Sequence, residues 1–518
     1  MRFTPKMEPK PLGSSLFHRN ISGGSVAKSV LILGTGLGAL STALRLSHKG
    51  YSVRMLEKQP RAGGRLHILE KDGYTFDVGP SFFSMSYEFK ELFESVGEPI
   101  PFELNELNPL YTVNIAGQDR VFQMHKDLSK LAKEFEGIEP DMERKTKAYL
   151  EAAGKIFHDT EDIVIKRNFG GTLDYLMQLS RVPWKHAPKM FRSMWKELDG
   201  RFESQEVKVI FSLVAFFLGS TPFQTPAVYS LLNYTELIHD GYWNVQGGMY
   251  QIVSRIKEIL DARGVKFHFN TEIVKVHQSG SRVTGFEDAN GKIWTADIYV
   301  SNSDAASFRG KVLNRVAYNE QKLDAMDWTL SPFTIYLGVK GRLENLKHHN
   351  YFLGNNFEDY ASSIFKTSVS PKKPYYYVNV SSRSNPESAP EGCENLFILC
   401  PMPDLRYKPD WSDSEELADN IIADLSQRIG YDLKANTLTR TVMDPIHWQN
   451  NFNLYRGSGL GLAHGLNQIG AFSPANKDED FSNLYYVGAS TVPGTGLPIV
   501  VISSRLVTER IEKEHAAV

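Results

Sequence analysis

The chain has 518 residues, a net charge of −2 at pH 7 and 42% hydrophobic residues. This length exceeds what one simple core accommodates, so we expect two or more domains of a globular protein. The near balance of acidic and basic residues argues against nucleic acid as the main partner, because no excess of Lys and Arg is present to neutralise phosphates. The two cysteines, Cys393 and Cys400, have neither metal-binding spacing nor a disulfide framework. This is typical of a reducing, cytoplasmic compartment, and we predict no metal site.

The first 28 residues are basic, with scattered Pro, Gly and Ser, and lack the apolar core of a signal peptide. We predict a disordered tail over residues 1–28, with a transit peptide as the alternative. No run of 18 or more apolar residues occurs, so the sequence predicts no membrane-spanning helix. The longest apolar run, Val209 to Leu218, has ten residues and is interpreted as a core helix rather than an interfacial segment.

The segment from Val30 to Glu57 has the order strand, glycine turn, helix, strand and acid. Its opening apolar run is typical of a buried parallel strand, and apolar residues after the glycines recur at helical spacing. The glycines permit a tight turn and let a pyrophosphate approach the helix N-terminus, where free N–H groups favour an anion. The acid is placed to bind a ribose hydroxyl. The residues predicted to bind a dinucleotide here are Gly34, Gly36, Gly38, Ala39 and Glu57.

Two short segments after this unit are predicted to contact the same cofactor. In the first, a glycine pair lets the backbone lie against a ligand, and the following arginine can offer its planar cation to a phosphate. A surface turn with a solvated arginine is the alternative. In the second, a short strand runs into a turn beside the same site. The predicted contacts are Lys58, Gly63, Gly64, Arg65, Gly79, Pro80 and Ser81.

Residues 116–240 change to helical periodicity with many aromatic side chains. Within them, the segment from Arg181 to Lys196 interleaves Lys and Arg with Trp, Phe and Met. This composition suits a surface whose rings lie among lipid headgroups while its lysines meet anionic lipid. The alternative is a solvated basic helix with its apolar face packed inward.

The remaining segments predict two domains that are interleaved along the chain. Residues 29–115, 241–305 and 441–518 share the α/β pattern and are predicted to form one cofactor-binding domain. Residues 116–240 and 306–440 are predicted to form the substrate domain. Near the end a second strand, glycine turn and helix occurs, and its predicted cofactor contacts are Gly488, Ala489, Gly496, Leu497 and Pro498. A dinucleotide held by both ends of the chain is more typical of FAD, bound extended and retained, than of an exchangeable nicotinamide.

An ordered set of short motifs follows the first glycine turn. These stretches are Phe76–Ser81, Thr221–Phe223, Tyr229–Glu236, Gln246–Met249, Ala296-Asp297 with Ser301–Asp304, Tyr377–Val380, Ala389–Asn395, Phe452–Gly457 and Val487–Pro498. With them, the sequence from about residue 29 to residue 512 resembles the bacterial and fungal phytoene desaturase family of FAD-dependent carotenoid desaturases. The first glycine turn alone would admit any amine-oxidase-like flavoprotein, whereas the ordered set of motifs is specific to this family.

The resemblance implies an α/β fold with a doubly wound Rossmann-type FAD-binding domain. An interleaved substrate-binding domain would carry a sheet and helices. The implied reaction introduces C=C bonds into phytoene or a related acyclic carotenoid by hydride transfer to the flavin. The resemblance also implies peripheral association of a cytoplasmic protein with a membrane surface, where such substrates dissolve. It implies quinone or oxygen as the electron acceptor, and it leaves a homo-oligomer open.

Desaturation also removes a proton, which needs an acceptor near the reacting carbon. Asp174 falls where the family places an acid followed by an arginine, although Met177 stands in place of that arginine. Glu236 is the second predicted catalytic acid. For both residues, a solvated or helix-capping carboxylate is the alternative interpretation.

Other functions would keep nearly the same motifs. Within the fold these are a polyene isomerase, a saturase, a terminal 3,4-desaturase and a terminal oxidase. A non-catalytic protein that binds prenyl lipids is the alternative from another class. The intact Gly34, Gly36 and Glu57 set and the turn at Pro493–Pro498 argue against a protein that has lost its cofactor.

Overall fold

A computed structural model of the chain describes residues 27–465 and 468–515. The disordered tail predicted over residues 1–28 therefore lies, except for residues 27 and 28, outside the described residues. Strands and helices are numbered separately from the amino terminus. Among the described residues no helix is both long and apolar enough to cross a membrane.

The strands belong to one parallel sheet, one large mixed sheet and three smaller antiparallel pairings. They are β1 (Ser29–Leu33), β2 (Ser52–Leu56), β3 (His67–Lys71), β4 (Tyr74–Val78), β5 (Leu104–Glu106), β6 (Tyr111–Ile115), β7 (Val121–Met124), β8 (Trp243–Val245), β9 (Lys266–His268), β10 (Ile273–Ser279), β11 (Arg282–Asp288), β12 (Ile293–Trp294), β13 (Ile298–Ser301), β14 (Ser331–Lys340), β15 (His349–Leu353), β16 (Tyr376–Asn379), β17 (Cys393–Met402), β18 (Thr437–Met443) and β19 (Leu484–Tyr486).

The helices cover the sheets and fill the stretch between β7 and β8. They are α1 (Leu37–His48), α2 (Ser86–Glu94), α3 (Leu128–Glu134), α4 (Met142–Thr160), α5 (Thr172–Leu179), α6 (Ala187–Phe191), α7 (Met194–Asp199), α8 (Gln205–Ser212), α9 (Leu231–Tyr234), α10 (Gln251–Ala262), α11 (Glu320–Asp324), α12 (Phe357–Ser363), α13 (Ser414–Ile429), α14 (Leu433–Asn436), α15 (Pro445–Phe452) and α16 (Leu497–His515). A π-helical turn, Thr235–His239, follows α9 directly.

The parallel sheet has the strand order β19–β13–β1–β2–β9. Its central strand β1 is apolar on both faces because both faces are covered, as parallel sheets require. Val30 and Ile32 pack into a core with α1, α10 and α16. Leu31 and Leu33 pack on the other side, against the three-stranded sheet β10–β11–β12. Complete burial of each such side chain contributes about 1.5–3 kcal/mol, so this strand anchors the domain.

The mixed sheet has the order β18–β14–β17–β16–β15–β6–β7. Its long strands β14 and β17 pair antiparallel over their full length. One face packs on α13 through Leu417, Ile421 and Leu425, which belong to the largest apolar core. Alternate residues on the other face line a cavity, described below.

The expected fold class, a doubly wound Rossmann-type domain combined with a second domain that carries a sheet and helices, is confirmed. The apolar run that begins at Val209 is also confirmed as core. Residues 209–215 are buried in α8 and the turn that follows it. The carboxyl ends of the parallel strands face the mixed sheet, and the candidate site lies between them.

Candidate active site

One cavity of about 810 Å³ extends from the carboxyl ends of the parallel strands to a face of the mixed sheet. Ligands of open parallel sheets bind at this end of the strands. The first part of the cavity is lined by backbone-rich turns, and the second part by aliphatic and aromatic side chains. All the predicted cofactor contacts except Ala39 line it. Ala39 is instead fully buried within α1, where its small side chain allows close packing.

The first glycine turn connects β1 to α1. Gly34 has φ +90°, which a residue with a side chain adopts only under strain. Gly36 is the N-cap of α1 and provides no side-chain hydrogen bond to the first helical turn. The first turn also contains no acidic residue. The N–H groups at this helix end are therefore available to an anion from the cavity.

Glu57 lies at the carboxyl end of β2, and its carboxylate is hydrogen-bonded to the first glycine turn. Oε2 accepts hydrogen bonds from the Thr35 backbone N–H at 2.9 Å and from the Thr35 hydroxyl at 2.6 Å. Oε1 accepts from the Gln59 N–H at 3.0 Å. Lys58 points elsewhere, and its Nζ donates to Asn453 Oδ1 at 2.8 Å. Glu57 is thus oriented by three donors, whereas Lys58 ties the turn to the end of α15.

The second predicted segment packs directly on the first turn. The N–H of Gly63 donates to the Thr35 carbonyl at 3.0 Å, and a Cβ on Gly64 would lie 3.1 Å from Gly36 Cα. Arg65 extends into the cavity, and its Nη1 donates to the Gly459 carbonyl at 2.9 Å. Burial lowers the pKa of Arg65, and the nearby Asp304 carboxylate raises it.

The turn at Gly79, Pro80 and Ser81 is held against the backbone of Arg65. Gly79 has φ +98°, and a Cβ there would lie 2.1 Å from the Arg65 carbonyl oxygen. Only glycine permits this approach. The turn places Pro80 and Ser81 at the boundary between the backbone-rich part and the aromatic part of the cavity.

The second glycine turn follows β19 and approaches the first turn through the side chain of Asn302. Asn302 Nδ2 donates to the Val487 carbonyl at 2.8 Å. Its Oδ1 lies where a Cβ on Gly36 would come within 2.5 Å. A Cβ on Gly38 would lie 3.1 Å from Gly488 Cα. The two turns, from opposite ends of the chain, therefore form one continuous wall of the cavity.

Beyond these turns, aromatic residues and a hydrogen-bonded chain line the cavity. The Ser81 hydroxyl donates to the Tyr377 hydroxyl at 3.0 Å, and the Tyr377 hydroxyl lies 2.5 Å from His349 Nδ1. Phe82 stacks on the His349 ring at 4.0 Å between centroids and also contacts Tyr242 at 4.8 Å. Burial holds the pKa of His349 well below its usual value, so the ring is neutral.

Glu236 is a buried carboxyl immediately behind this aromatic wall. It lies in the π-helical turn after α9 and is 2% exposed. Burial raises its pKa to about 7, although the nearby hydroxyls of Tyr111 and Tyr242 lower it. Neither carboxylate oxygen has a partner at hydrogen-bond geometry within the described part of the chain. Tyr242 itself lines the cavity. Glu236 is therefore separated from the cavity by one tyrosine, and it can exchange a proton near neutral pH.

Asp174, the other predicted catalytic acid, is not among the residues that line the cavity. Its Oδ2 accepts from the Gly170 N–H at 2.8 Å, and its Oδ1 accepts from Gln178 Nε2 at 3.1 Å. These hydrogen bonds lower the pKa of Asp174. The geometry matches the helix-capping alternative, because the carboxylate closes the loop that enters α5.

Comparison with known proteins supports one family. The model for flavin containing amine oxidoreductases matches residues 40–511. A zeta-carotene-forming phytoene desaturase from Myxococcus xanthus is 33% identical over 95% of this chain and 95% of its own length. A phytoene desaturase from Fusarium fujikuroi is 30% identical over 94% and 90% of the two chains.

The chain belongs to the phytoene desaturase family.

The same fold occurs in putrescine oxidase with putrescine bound, which is 14% identical with a TM-score of 0.62. The alignment covers 94% of this chain and 99% of the oxidase. The desaturase therefore shares the architecture of amine-oxidising flavoproteins.

FAD is the cofactor of this flavin-containing family, and the residues of the desaturase fit it. The uncapped start of α1 offers N–H groups for a pyrophosphate, and the missing side chain at Gly36 leaves room for Asn302 beside them. Glu57 is held at the end of β2, where a ribose would lie. The cavity continues past both glycine turns toward the apolar wall, so an extended dinucleotide can reach it.

Several residues of the site were not predicted from the sequence of this desaturase. Asn302 and Asp304 follow β13 in the motif that was used only for the resemblance, and their position after a buried strand was the signal available. Asp304 Oδ2 accepts from the Ser490 hydroxyl at 3.2 Å. Tyr111 and Tyr242 had no local signal, because only packing brings their hydroxyls to Glu236.

Proposed function

We propose that this chain introduces double bonds into phytoene or a related acyclic carotenoid, with FAD bound between its two glycine turns. The relatives named above act on carotenoids according to their names. The observation that carries the proposal is the single cavity that runs from the nucleotide turns to an apolar wall. A protein that only bound lipid would not need the oriented Glu57 and the uncapped start of α1.

The wall of the mixed sheet suits an extended polyene. Tyr351 on β15 pairs with Tyr377 on β16, Tyr377 with Leu399 on β17, and Leu399 with Thr334 on β14. These residues form one row across four strands, and each of them lines the cavity. Such a row gives a long chain continuous contact while it excludes water from the reacting carbons.

FAD, when bound, supplies the acceptor for the hydride. The protein must orient the substrate and accept the accompanying proton. We propose a relay in which the Tyr242 hydroxyl gives its own proton to the ionised Glu236 carboxylate while it takes up the proton released by the substrate carbon at the cavity wall. A carboxyl with a pKa of about 7 suits this task at neutral pH. Asp174 is not part of this proposal, since its oxygens close a surface loop.

We propose that the cofactor contacts are the predicted residues of both glycine turns, together with Asn302 and Asp304. The proposed FAD domain combines residues from 29 onward with residues 241–305 and 441–518, and these segments supply all five strands of the parallel sheet. Because β6 pairs within the mixed sheet, we place the first domain boundary before residue 111. The proposed substrate domain contains the remaining segments.

We propose that the protein binds the surface of a membrane through an apolar patch, defined here as Leu173, Leu176, Met177, Trp184, Phe191 and Phe472. All of these are exposed, and Trp184 and Phe191 are 82% and 85% exposed. Their basic neighbours are only partly neutralised, because Lys189, Arg192 and Arg201 share the single carboxylate of Glu197. Lys185 pairs with Asp159 at 3.1 Å, and Arg192 pairs with Glu197 at 3.2 Å. We propose insertion of the exposed apolar side chains as the main contribution, with attraction of the remaining positive charge to anionic lipid as an addition.

The electron acceptor remains a proposal drawn from the family resemblance. We propose quinone or oxygen, and a cytoplasmic protein that meets its substrate at the membrane. Formation of a homo-oligomer is a further proposal.

Expression in cells that accumulate phytoene tests the proposed function. We expect phytoene to be replaced by more desaturated carotenes when extracts are separated by chromatography. Unchanged phytoene would contradict a first desaturation step, and lycopene or a hydroxylated carotene would then be supplied to test later steps. The visible spectrum after reconstitution with FAD provides a second measurement. A protein without flavin absorbance would favour the lipid-binding alternative.

A further inference from the structure

The hydrogen-bonded chain from Ser81 to His349 has a defined direction. Asn379 Nδ2 donates to the His348 carbonyl at 3.0 Å, and this bond fixes how the side-chain amide of Asn379 is turned. The same amide nitrogen lies 3.4 Å from His349 Nδ1. Because an amide nitrogen can only donate, Nδ1 is an acceptor without a proton of its own. Burial lowers the pKa of His349, so the ring is neutral and its single proton is on Nε2.

This tautomer determines the orientation of both hydroxyl groups in the chain. Because Nδ1 accepts, the Tyr377 hydroxyl at 2.5 Å donates its hydrogen to His349. The Tyr377 oxygen in turn accepts from the Ser81 hydroxyl at 3.0 Å. Ser81 lines the cavity, yet its only hydroxyl hydrogen is used inside the protein. Ser81 Oγ can therefore offer lone pairs, but no donor, to a ligand in the cavity.

Packing holds the histidine at the end of this chain. Phe82 stacks on the His349 ring at 4.0 Å between centroids, and the His348 ring meets it edge-on at 4.5 Å. His349 on β15 pairs directly with Asn379 on β16, which keeps the amide donor beside the ring. His349 Nε2 has no hydrogen-bond partner within residues 27–465 and 468–515. The tautomer is thus set by the donors at Nδ1 alone.

Ser81 lies at the point of the cavity where the reacting part of the cofactor is expected. Its turn is held to the Arg65 backbone beside the glycine pair, and the aromatic wall begins at Phe82. A dinucleotide that extends past the glycine turns brings its flavin ring to this boundary. Reduction of that ring creates an N–H that the oxidised ring lacks. An acceptor for this N–H stabilises the reduced form only.

We propose that Ser81 Oγ accepts a hydrogen bond from the ring N–H that reduction creates on the flavin, and that this bond raises the midpoint potential. Tyr377 and His349 are positioning residues, because they act only through Ser81, by keeping its hydrogen out of the cavity. The inference rests on the proposed position of FAD and deepens the proposed function. A higher midpoint potential makes it easier to oxidise an unactivated carbon chain.

Midpoint potentials of the full-length, FAD-reconstituted protein without carotenoid test this inference. We expect Ser81→Ala to lower the equilibrium constant of flavin reduction by about three- to tenfold, which is about 14–30 mV for a two-electron couple. Tyr377→Phe should also lower the potential, because the Ser81 hydrogen can then turn into the cavity. In the double variant, Tyr377→Phe should add nothing to Ser81→Ala. Ser362→Ala and Tyr318→Phe remove hydroxyls outside the cavity and should leave the potential unchanged.

An unchanged or higher potential in Ser81→Ala overturns the inference. Weaker FAD binding without a change in potential also overturns it, because Ser81 then contacts another part of the cofactor. If Tyr377→Phe shifts the potential equally with and without the Ser81 hydroxyl, the two residues act independently and the positioning role is wrong. None of these results depends on whether phytoene is converted, so the proposed function stands or fails separately.

The tautomer of His349 provides a measurement that needs no flavin. Nitrogen chemical shifts of protein labelled with nitrogen-15 histidine, assigned by comparison with His349→Gln, report which ring nitrogen carries the proton. We expect a protonated Nε2 and an unprotonated Nδ1 at His349. A protonated Nδ1 reverses the chain, turns the Ser81 hydrogen toward the cavity and overturns the inference.

Discussion

The side chain of Asn302 and the backbone of Val487 are joined by a hydrogen bond of 2.8 Å, from Nδ2 to the carbonyl oxygen. The backbone N–H of Asn302 donates to the Leu33 carbonyl, also at 2.8 Å. Asn302, which directly follows β13, thus connects the end of β1 to the end of β19, where the two glycine turns begin. The cavity wall for the nucleotide depends on this connection.

Replacement of Asn302 by alanine should separate the two turns. We expect weaker flavin retention and a loss of about 1–3 kcal/mol in the free energy of unfolding, because the Val487 carbonyl loses its side-chain donor. The ratio of flavin to protein absorbance and denaturant unfolding measure these effects. Asn105→Ala, which removes a bond between exposed residues, is the control and should change neither quantity. Equal behaviour of the two variants would contradict the proposed link.

A methyl group at Gly36 should displace Asn302 and distort the turn that is proposed to hold the pyrophosphate. Gly36 has an ordinary negative φ, so the effect of Gly36→Ala is steric: its Cβ would lie 2.5 Å from Asn302 Oδ1. We expect loss of bound flavin in a folded protein, observed as absent visible absorbance with an unchanged circular dichroism spectrum. In the matched variant Gly200→Ala, φ is −75° and the nearest atom is 3.5 Å from the new Cβ. A Gly36→Ala protein that purifies yellow would refute the proposed position of the cofactor.

Glu236 should produce a pH dependence of the reaction. Because its pKa is raised to about 7 and a proton acceptor must be ionised, the rate should increase as the pH rises through about 7. Glu236→Gln should lower the rate by about 10²- to 10⁴-fold and remove this limb of the pH profile. Asp174→Asn should retain the limb, since Asp174 lies outside the cavity wall. If Asp174→Asn instead abolishes this limb of the pH profile, Asp174 and not Glu236 is the proton acceptor.

Asp77 should make a contribution to the free energy of unfolding that depends on pH. Its carboxylate accepts the N–H groups of Met249 at 2.9 Å and Tyr250 at 3.0 Å, and the Tyr250 hydroxyl donates to Ala62 beside the glycine pair. Burial raises the pKa of Asp77 from 3.8 to about 6. The folded state therefore holds the proton more tightly than the unfolded state. Stability from this group is fully present below pH 3.8 and is lost as the pH rises to about 6.

Asp77→Asn should consequently be more destabilising at pH 4 than at pH 7. The difference should be no more than about 3 kcal/mol, since one pKa unit corresponds to about 1.4 kcal/mol. Urea unfolding at both pH values measures it. A destabilisation that grows with pH would show that the ionised carboxylate is the favoured form in the fold.

The apolar patch should govern binding to vesicles. Trp184→Ser combined with Phe191→Ser should weaken sedimentation with zwitterionic vesicles by at least about tenfold, because each large apolar side chain contributes about 1.5–3 kcal/mol when buried. Val316→Ser, at a residue 74% exposed elsewhere on the surface, is the control. Binding to these zwitterionic vesicles should change less than about twofold between low and high salt, since their surface carries no net charge to attract the basic residues. Release by salt would favour headgroup electrostatics instead.

Local sequence pattern was sufficient for the nucleotide unit of this protein. The apolar run of β1, the glycines and the acid of Glu57 are neighbours in sequence, and a strand or helix period is encoded within a few residues. The same holds for the second turn at Gly488. The ordered motifs identified the family, and with it the fold class and FAD.

Tertiary structure alone decided which distant residues share the cavity. The turns at Gly36 and Gly488 meet because β13 lies between β1 and β19, and strand order is not encoded in any local period. Glu236 and Asp174 both occur as acids in helical stretches of the sequence. Packing encloses the first behind Tyr242 and leaves the second to close a loop near the surface. Their different chemistry results from burial, because removal of water from around a carboxyl raises its pKa and hydrogen bonds from the surface backbone lower it.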